Sequence, residues 1–167
     1  MAVSLGPNGL QLNDATHDDF ADFQGGGKVL QVVQHTFSNQ QTNTSSTSFV
    51  TTWMTGAITP SSTSSKILVL ANGSALIDAY QNQGINSEYG IFRAGTEVYR
   101  LGISSWTDSG QCGAAINYMD SPSTTSSTTY DIRIRNQSTY GGSRLTSWRC
   151  NISSSSKASL ILVEIGA

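Results

Sequence analysis

Histidine and cysteine occur only twice each in 167 residues, proline three times, and charged residues make up 12% of the chain, about half the usual share for soluble domains. His17 and His35 are too few for an oriented acid–base constellation, and both are read as structural. Cys112 and Cys150 lack C-x-x-C spacing and number only two, which excludes a disulfide framework and a cysteine metal site. The expectation for both is a buried free thiol. With a net charge of −2 and no cluster of Lys and Arg, the chain has no electrostatic footprint for a phosphate backbone, so nucleic acid is not an expected partner. No window approaches the ~20 apolar residues of a membrane helix. The start, Met1-Ala2-Val3-Ser4-Leu5-Gly6-Pro7, has neither a basic nor an apolar signal region, which predicts a cytoplasmic product with no membrane partner. G-x-S-x-G, H-E-x-x-H, P-loop and G-x-G-x-x-G patterns are all missing. No enzyme, cofactor or metal is expected.

Ser and Thr fill the place left by charge. Both compete for backbone hydrogen bonds in helices and suit strands and turns. From Lys28 onward, short β-like segments alternate with Ser, Thr, Asn, Gly and Pro clusters, the texture of a sandwich or barrel. Strands are expected over 28–37, 48–54, 66–70, 75–80, 88–93, 97–101, 111–119, 130–135, 144–150 and 157–165. Tyr130-Asp131-Ile132-Arg133-Ile134-Arg135 has the clearest period of two, with Tyr130, Ile132 and Ile134 toward a core and the charged residues toward water. Asn72-Gly73-Ser74 reads as a tight hairpin turn, and Ala94-Gly95-Thr96 as a second one. The last segment sets Leu160 and Leu162 opposite Ile161, Val163 and Ile165, so both of its faces are apolar and both need cover. A second sheet supplies one cover, and a loop or a second chain the other. No sustained helical period follows Lys28, and α/β folds are disfavoured.

Residues 1–27 differ in texture and end in Gly25-Gly26-Gly27, a flexible joint. The domain reading is therefore a docking arm, 1–27, and a β-sandwich domain, 28–167. The arm carries Asp14, Asp18, Asp19 and Asp22 before the first basic residue, Lys28. A single helical turn there would present Phe20 and Phe23 at i,i+3 spacing, too short to persist without a partner surface. Asp14, Asp18, Asp19, Phe20 and Phe23 are accordingly the docking candidates. The spacing of the aspartates does not fit a calcium loop. Paired carboxylates for glycan hydrolysis would come from Asp78, Glu88, Glu97, Asp108, Asp120, Asp131 and Glu164, but a polysaccharide cleft needs more scaffold than one small sandwich. Trp106 and Tyr140 sit in polar, turn-like stretches and are the candidates for contact with a host glycan.

Three stretches carry a resemblance: Lys28-Val29-Leu30-Gln31-Val32-Val33-Gln34, the run from Ile58 through Lys66 to Val69, and Ser159-Leu160-Ile161-Leu162-Val163-Glu164-Ile165. In that order they resemble the C-terminal β-sandwich domains of tailed-bacteriophage virion proteins, of the tail-fibre or capsid-decoration type. The resemblance implies an all-β, antiparallel, jelly-roll-like β-sandwich with an extended N-terminal arm, forming a homotrimer on the virion surface. About 27 residues precede the domain, and at ~3.3 Å each they reach roughly 90 Å, enough to cross a neighbouring subunit but not to build a fibre shaft. A capsid decoration (cement) protein whose arm binds the major capsid protein is the preferred expectation. The alternative is a receptor-binding fibre tip that recognises host glycan.

Overall fold

The computed structural model describes residues 2–6, 9–13, 27–78, 85–105, 110–137, 145–150 and 155–166. Every regular element among them is a β-strand: β1 (Ala2–Gly6), β2 (Gly9–Asn13), β3 (Val29–Ser38), β4 (Gln41–Thr44), β5 (Val50–Ile58), β6 (Lys66–Asp78), β7 (Ile85–Arg93), β8 (Thr96–Ser105), β9 (Gly110–Asp120), β10 (Thr128–Asn136), β11 (Leu145–Arg149) and β12 (Lys157–Ile165). All pairings are antiparallel.

The body is two sheets. One runs β5-β10-β7-β8; the other runs β3-β12-β6, with β9 on the far side of β6 and with β11 and β4 continuing the β12 and β3 columns. Asn39, at φ 53°, breaks β3 from β4, so the two act as one bent strand, and β11 and β12 follow one another along the same edge of β6. Counted this way, the body has eight strands, ordered first-eighth-third-sixth and second-seventh-fourth-fifth in the two sheets. That order is the jelly roll, and the expected all-β sandwich is what the chain forms.

The inner faces follow the two-residue period. Tyr130, Ile132 and Ile134 of β10 are fully buried, together with Met54, Ile67, Val69, Ile91, Leu160 and Leu162. The charged positions of β10 behave less uniformly than the period suggests. Arg133 and Arg135 are half-buried, and Asp131 is buried beneath its ion pair with Arg133 at 2.6 Å. The β7–β8 hairpin turns at Ala94 and Gly95, both at positive φ (46° and 86°), as a two-residue turn matching strand twist requires.

The Asn72-Gly73-Ser74 expectation is overturned. β6 passes through these residues without a break, pairing Asn72 with Ser159 and Ala115, and Ser74 with Arg149 and Gly113. Glycine is needed at 73 for space: a Cβ there would lie 2.9 Å from the fully buried Trp148 indole. β4 lies in a polar stretch that reads as loop. It is recruited by pairing to β11, Thr42 opposite Trp148 and Thr44 opposite Thr146. β5 likewise continues to Ile58. Within the segment read as an arm, β1 and β2 pair as a hairpin of their own, Val3 opposite Leu12 and Leu5 opposite Leu10. Both cysteines are free, as expected, but only Cys150 is buried; Cys112, near the start of edge strand β9, is exposed.

Candidate functional site

The outer faces of the two sheets have opposite chemistry. On β10, β7 and β8 the outward residues are charged and mutually paired. Glu88 meets Arg135 at 2.6 Å and Arg100 at 3.3 Å, and Glu97 meets Arg100 at 2.8 Å. Phe49 and Phe92 pack edge to face at 5.0 Å, and the guanidiniums of Arg135 and Arg133 stand over their rings at 4.7 and 4.3 Å. This face is satisfied in water, because each charge has a counter-ion and each ring a cation.

The outer face of β3-β12-β6-β9 is built differently. Register sets Val32 opposite Val163, Val163 opposite Leu68, and Leu68 opposite Met119, an unbroken apolar row across all four strands. The adjoining row is Gln34, Ile161, Leu70 and Asn117. On the other side Ile165 pairs with Val29 and Lys66 through a bulge that leaves Leu30 over. Val29, Leu30, Val32 and Met119 are the exposed large hydrophobic residues among those described, 40–59% exposed, and all four lie here. Toward the opposite end the rows turn polar: Thr36, Ser159, Asn72 and Ala115, then Gln41, Arg149, Ser74 and Gly113. A contiguous apolar area of this kind marks an interaction surface in a water-exposed fold.

The three stretches that carry the sequence resemblance fall on β3, the end of β5 with β6, and β12. β3, β12 and β6 are neighbours, so residues more than a hundred positions apart compose this one face. The expectation that the last strand needs cover on both faces is half answered by the second sheet, which buries Leu160 and Leu162. Ile161, Val163 and Ile165 remain half-buried on the outside.

Beneath the apolar end lies a buried carboxylate. Glu164, 1% exposed, accepts hydrogen bonds from the Ser61 amide and hydroxyl, both at 2.6 Å, and from Gln31 Nε2 at 2.8 Å. Burial pushes its pKa up, but the Ser61, Ser65 and Gln31 donors outweigh burial and hold it down at about 2. Its work is to fasten the 59–65 connection to β12. At the same end Asp120 takes Arg93 Nη1 at 2.8 and 3.0 Å and the Tyr130 hydroxyl at 2.7 Å. Burial, then the neighbouring Asp120, raise the Tyr130 pKa and keep the phenol protonated. Of the carboxylates considered for glycan hydrolysis, Glu88, Glu97, Asp120, Asp131 and Glu164 are each engaged in such pairs. His35 lies on the inner side of β3, where a Cβ at Gly56 would come within 2.5 Å of its ring. It packs there half-buried.

The docking candidates Asp14, Asp18, Asp19, Phe20 and Phe23 lie outside the described residues, as do Trp106 and Tyr140. Their described flanks are still informative. Gly27 and Lys28, which follow the segment read as an arm, adjoin Ile165 and Gly166, with the Gly166 amide donating to Lys28 O at 2.8 Å. This is the apolar end. Ser105 and Gly110, which flank Trp106, pair with Ile85 and Ile77, and Leu145, which follows Tyr140, pairs with Asp78. They emerge at the other end of β6, whose 13 residues span roughly 43 Å. Sequence reasoning marked the outer residues of β12 but not Val32 or Met119, because register across four strands is not written in any one of them.

No protein-family model matches the chain. No curated protein matches it either. Among solved structures it is similar to the VP2 protein of infectious bursal disease virus in a subviral particle, with 13% identity, a TM-score of 0.44 and coverage of 99% of this chain and 37% of that one. A chain of the T13 particle of the same virus is similar at 15% identity and a TM-score of 0.41, with 100% of this chain and 40% of that chain covered. The chain spans less than half the length of either.

Proposed function

We propose that the chain is a structural protein of a bacteriophage particle: a capsid decoration protein that stands on the virion surface as a homotrimer and binds the major capsid protein through its arm, 1–27. The observation that supports this reading is the division of the body. A jelly roll whose one outer face is fully charge-paired and whose other is apolar at one end is suited to an assembly, since the apolar rows cost free energy wherever they meet water. The arm joins the body at that same apolar end, so capsid contact and subunit contact share one pole.

Quantitative mass spectrometry of purified particles tests it. One copy per major capsid protein, or a simple fraction such as one third, is the expected result. A ratio of a few per cent would place the chain in the tail and make host glycan the ligand to examine. Deleting residues 1–27 is expected to abolish particle binding while leaving the body folded; retained binding would overturn the arm's role.

A further inference from the structure

Four strands spaced ~4.8 Å apart and rows reaching from Lys66 to Leu76 give the outer face of β3-β12-β6-β9 a projected area of about 650 Å². A standard protein interface takes ~800 Å² from each partner. The apolar rows supply roughly half of that area, and the amide and hydroxyl rows supply the remainder. Across the Leu68, Leu70 and Asn72 rows there is no charged residue; Lys66 stands at one rim and Arg149 toward the other. A partner for such a surface carries no charge pattern of its own at the contact and offers Val, Leu, Ile, Asn, Gln and Thr side chains in return.

We infer that this face is where copies of the chain meet, and that its occupant is a second copy presenting the same rows. The face is its own chemical complement: apolar rows bury against apolar rows, while Gln34, Asn117 and Thr36 offer both donors and acceptors to their like. The other outer face has no such need, because its charges are already neutralised within one chain. Val163 and Leu68 form the centre of the contact, with Val32 and Met119 closing it on either side. The inference rests on the body being an oligomeric subunit, and it adds a twofold pairing to that reading, because a face that meets its own like closes as a pair, distinct from the contact that makes the homotrimer.

Sedimentation equilibrium of the full chain is the test, with Val32→Asp and Met119→Asp made singly and together. Val32 is 59% exposed and Met119 40% exposed, so a carboxylate at either position remains solvated in the isolated chain. Wild type is expected to sediment as an oligomer, and the double variant at half the wild-type mass with an unchanged circular-dichroism melt. Should the aspartates prevent folding, Val32→Thr with Met119→Gln keeps shape and strand propensity and is expected to raise the dissociation constant at least ~10-fold. A wild type that is monomeric at tens of micromolar, or folded variants that associate as tightly as wild type, would overturn the inference. Copy number on particles is read separately, so failure of the decoration reading and failure of this surface are distinguishable.

Discussion

Glu164 and Ser61, 103 positions apart in the chain, are joined by two hydrogen bonds of 2.6 Å, one from the serine amide and one from its hydroxyl, to the same carboxylate oxygen. The pair ties the 59–65 connection to the terminal strand directly under the apolar face. Replacing the carboxylate with an amide keeps shape and removes charge. Glu164→Gln is expected to cost about 1.5–3 kcal/mol, the usual worth of hydrogen bonds to a buried charged acceptor, read by urea denaturation at neutral pH.

The same carboxylate gives stability a pH dependence of known sign. Its folded-state pKa, about 2, lies below the ordinary glutamate value of 4.5, so the folded state holds the proton less tightly than the unfolded one. Its contribution is complete above about pH 4.5 and is lost progressively as pH falls toward 2. Denaturation midpoints measured from pH 6 to pH 2.5 are expected to fall in wild type and to fall less in Glu164→Gln. Parallel curves would show that other groups dominate.

Gly73 and Trp148 make a steric prediction. Gly73→Ala places a methyl 2.9 Å from the indole, inside contact distance, and the ring is fully buried against Tyr89 at 5.7 Å. The expected loss is about 1–3 kcal/mol, typical of an overpacked core, with a change in the near-ultraviolet circular dichroism of the tryptophan. A turn at this position would have tolerated alanine differently and left Trp148 untouched.

Asp120, Arg93 and Tyr130 behave as one unit. Tyr130→Phe removes one hydrogen bond and is expected to cost about 1 kcal/mol. Asp120→Ala strands both the phenol and the guanidinium, and costs about 3–5 kcal/mol. Because the two substitutions share a partner, their double-mutant cycle is expected to be non-additive by at least ~0.5 kcal/mol; additivity would mean that the 2.7 Å contact carries no coupling.

The two thiols differ in access. Cys112 is exposed and Cys150 is 3% exposed. A thiol reagent is expected to modify one cysteine rapidly in the native protein, with the second reacting only at the rate of unfolding. Slow reaction of both would place Cys112 under cover in solution.

The sequence by itself determined the fold class, because strand alternation is local. Tyr130, Ile132 and Ile134 declare their core side within six residues, and Gly95 declares its turn through the positive φ it permits. It also showed that the last strand is apolar on both faces. What only the tertiary structure decided are matters of partner and register. Gly73 reads as a turn residue until Trp148 is seen to occupy the space above it, and Gln41–Thr44 reads as loop until β11 offers it a ladder. The row from Val32 through Val163 and Leu68 to Met119 exists in no stretch of sequence. A strand's own period fixes which residues share its face but leaves open which strand lies beside it, and that choice is settled by packing between residues more than a hundred positions apart.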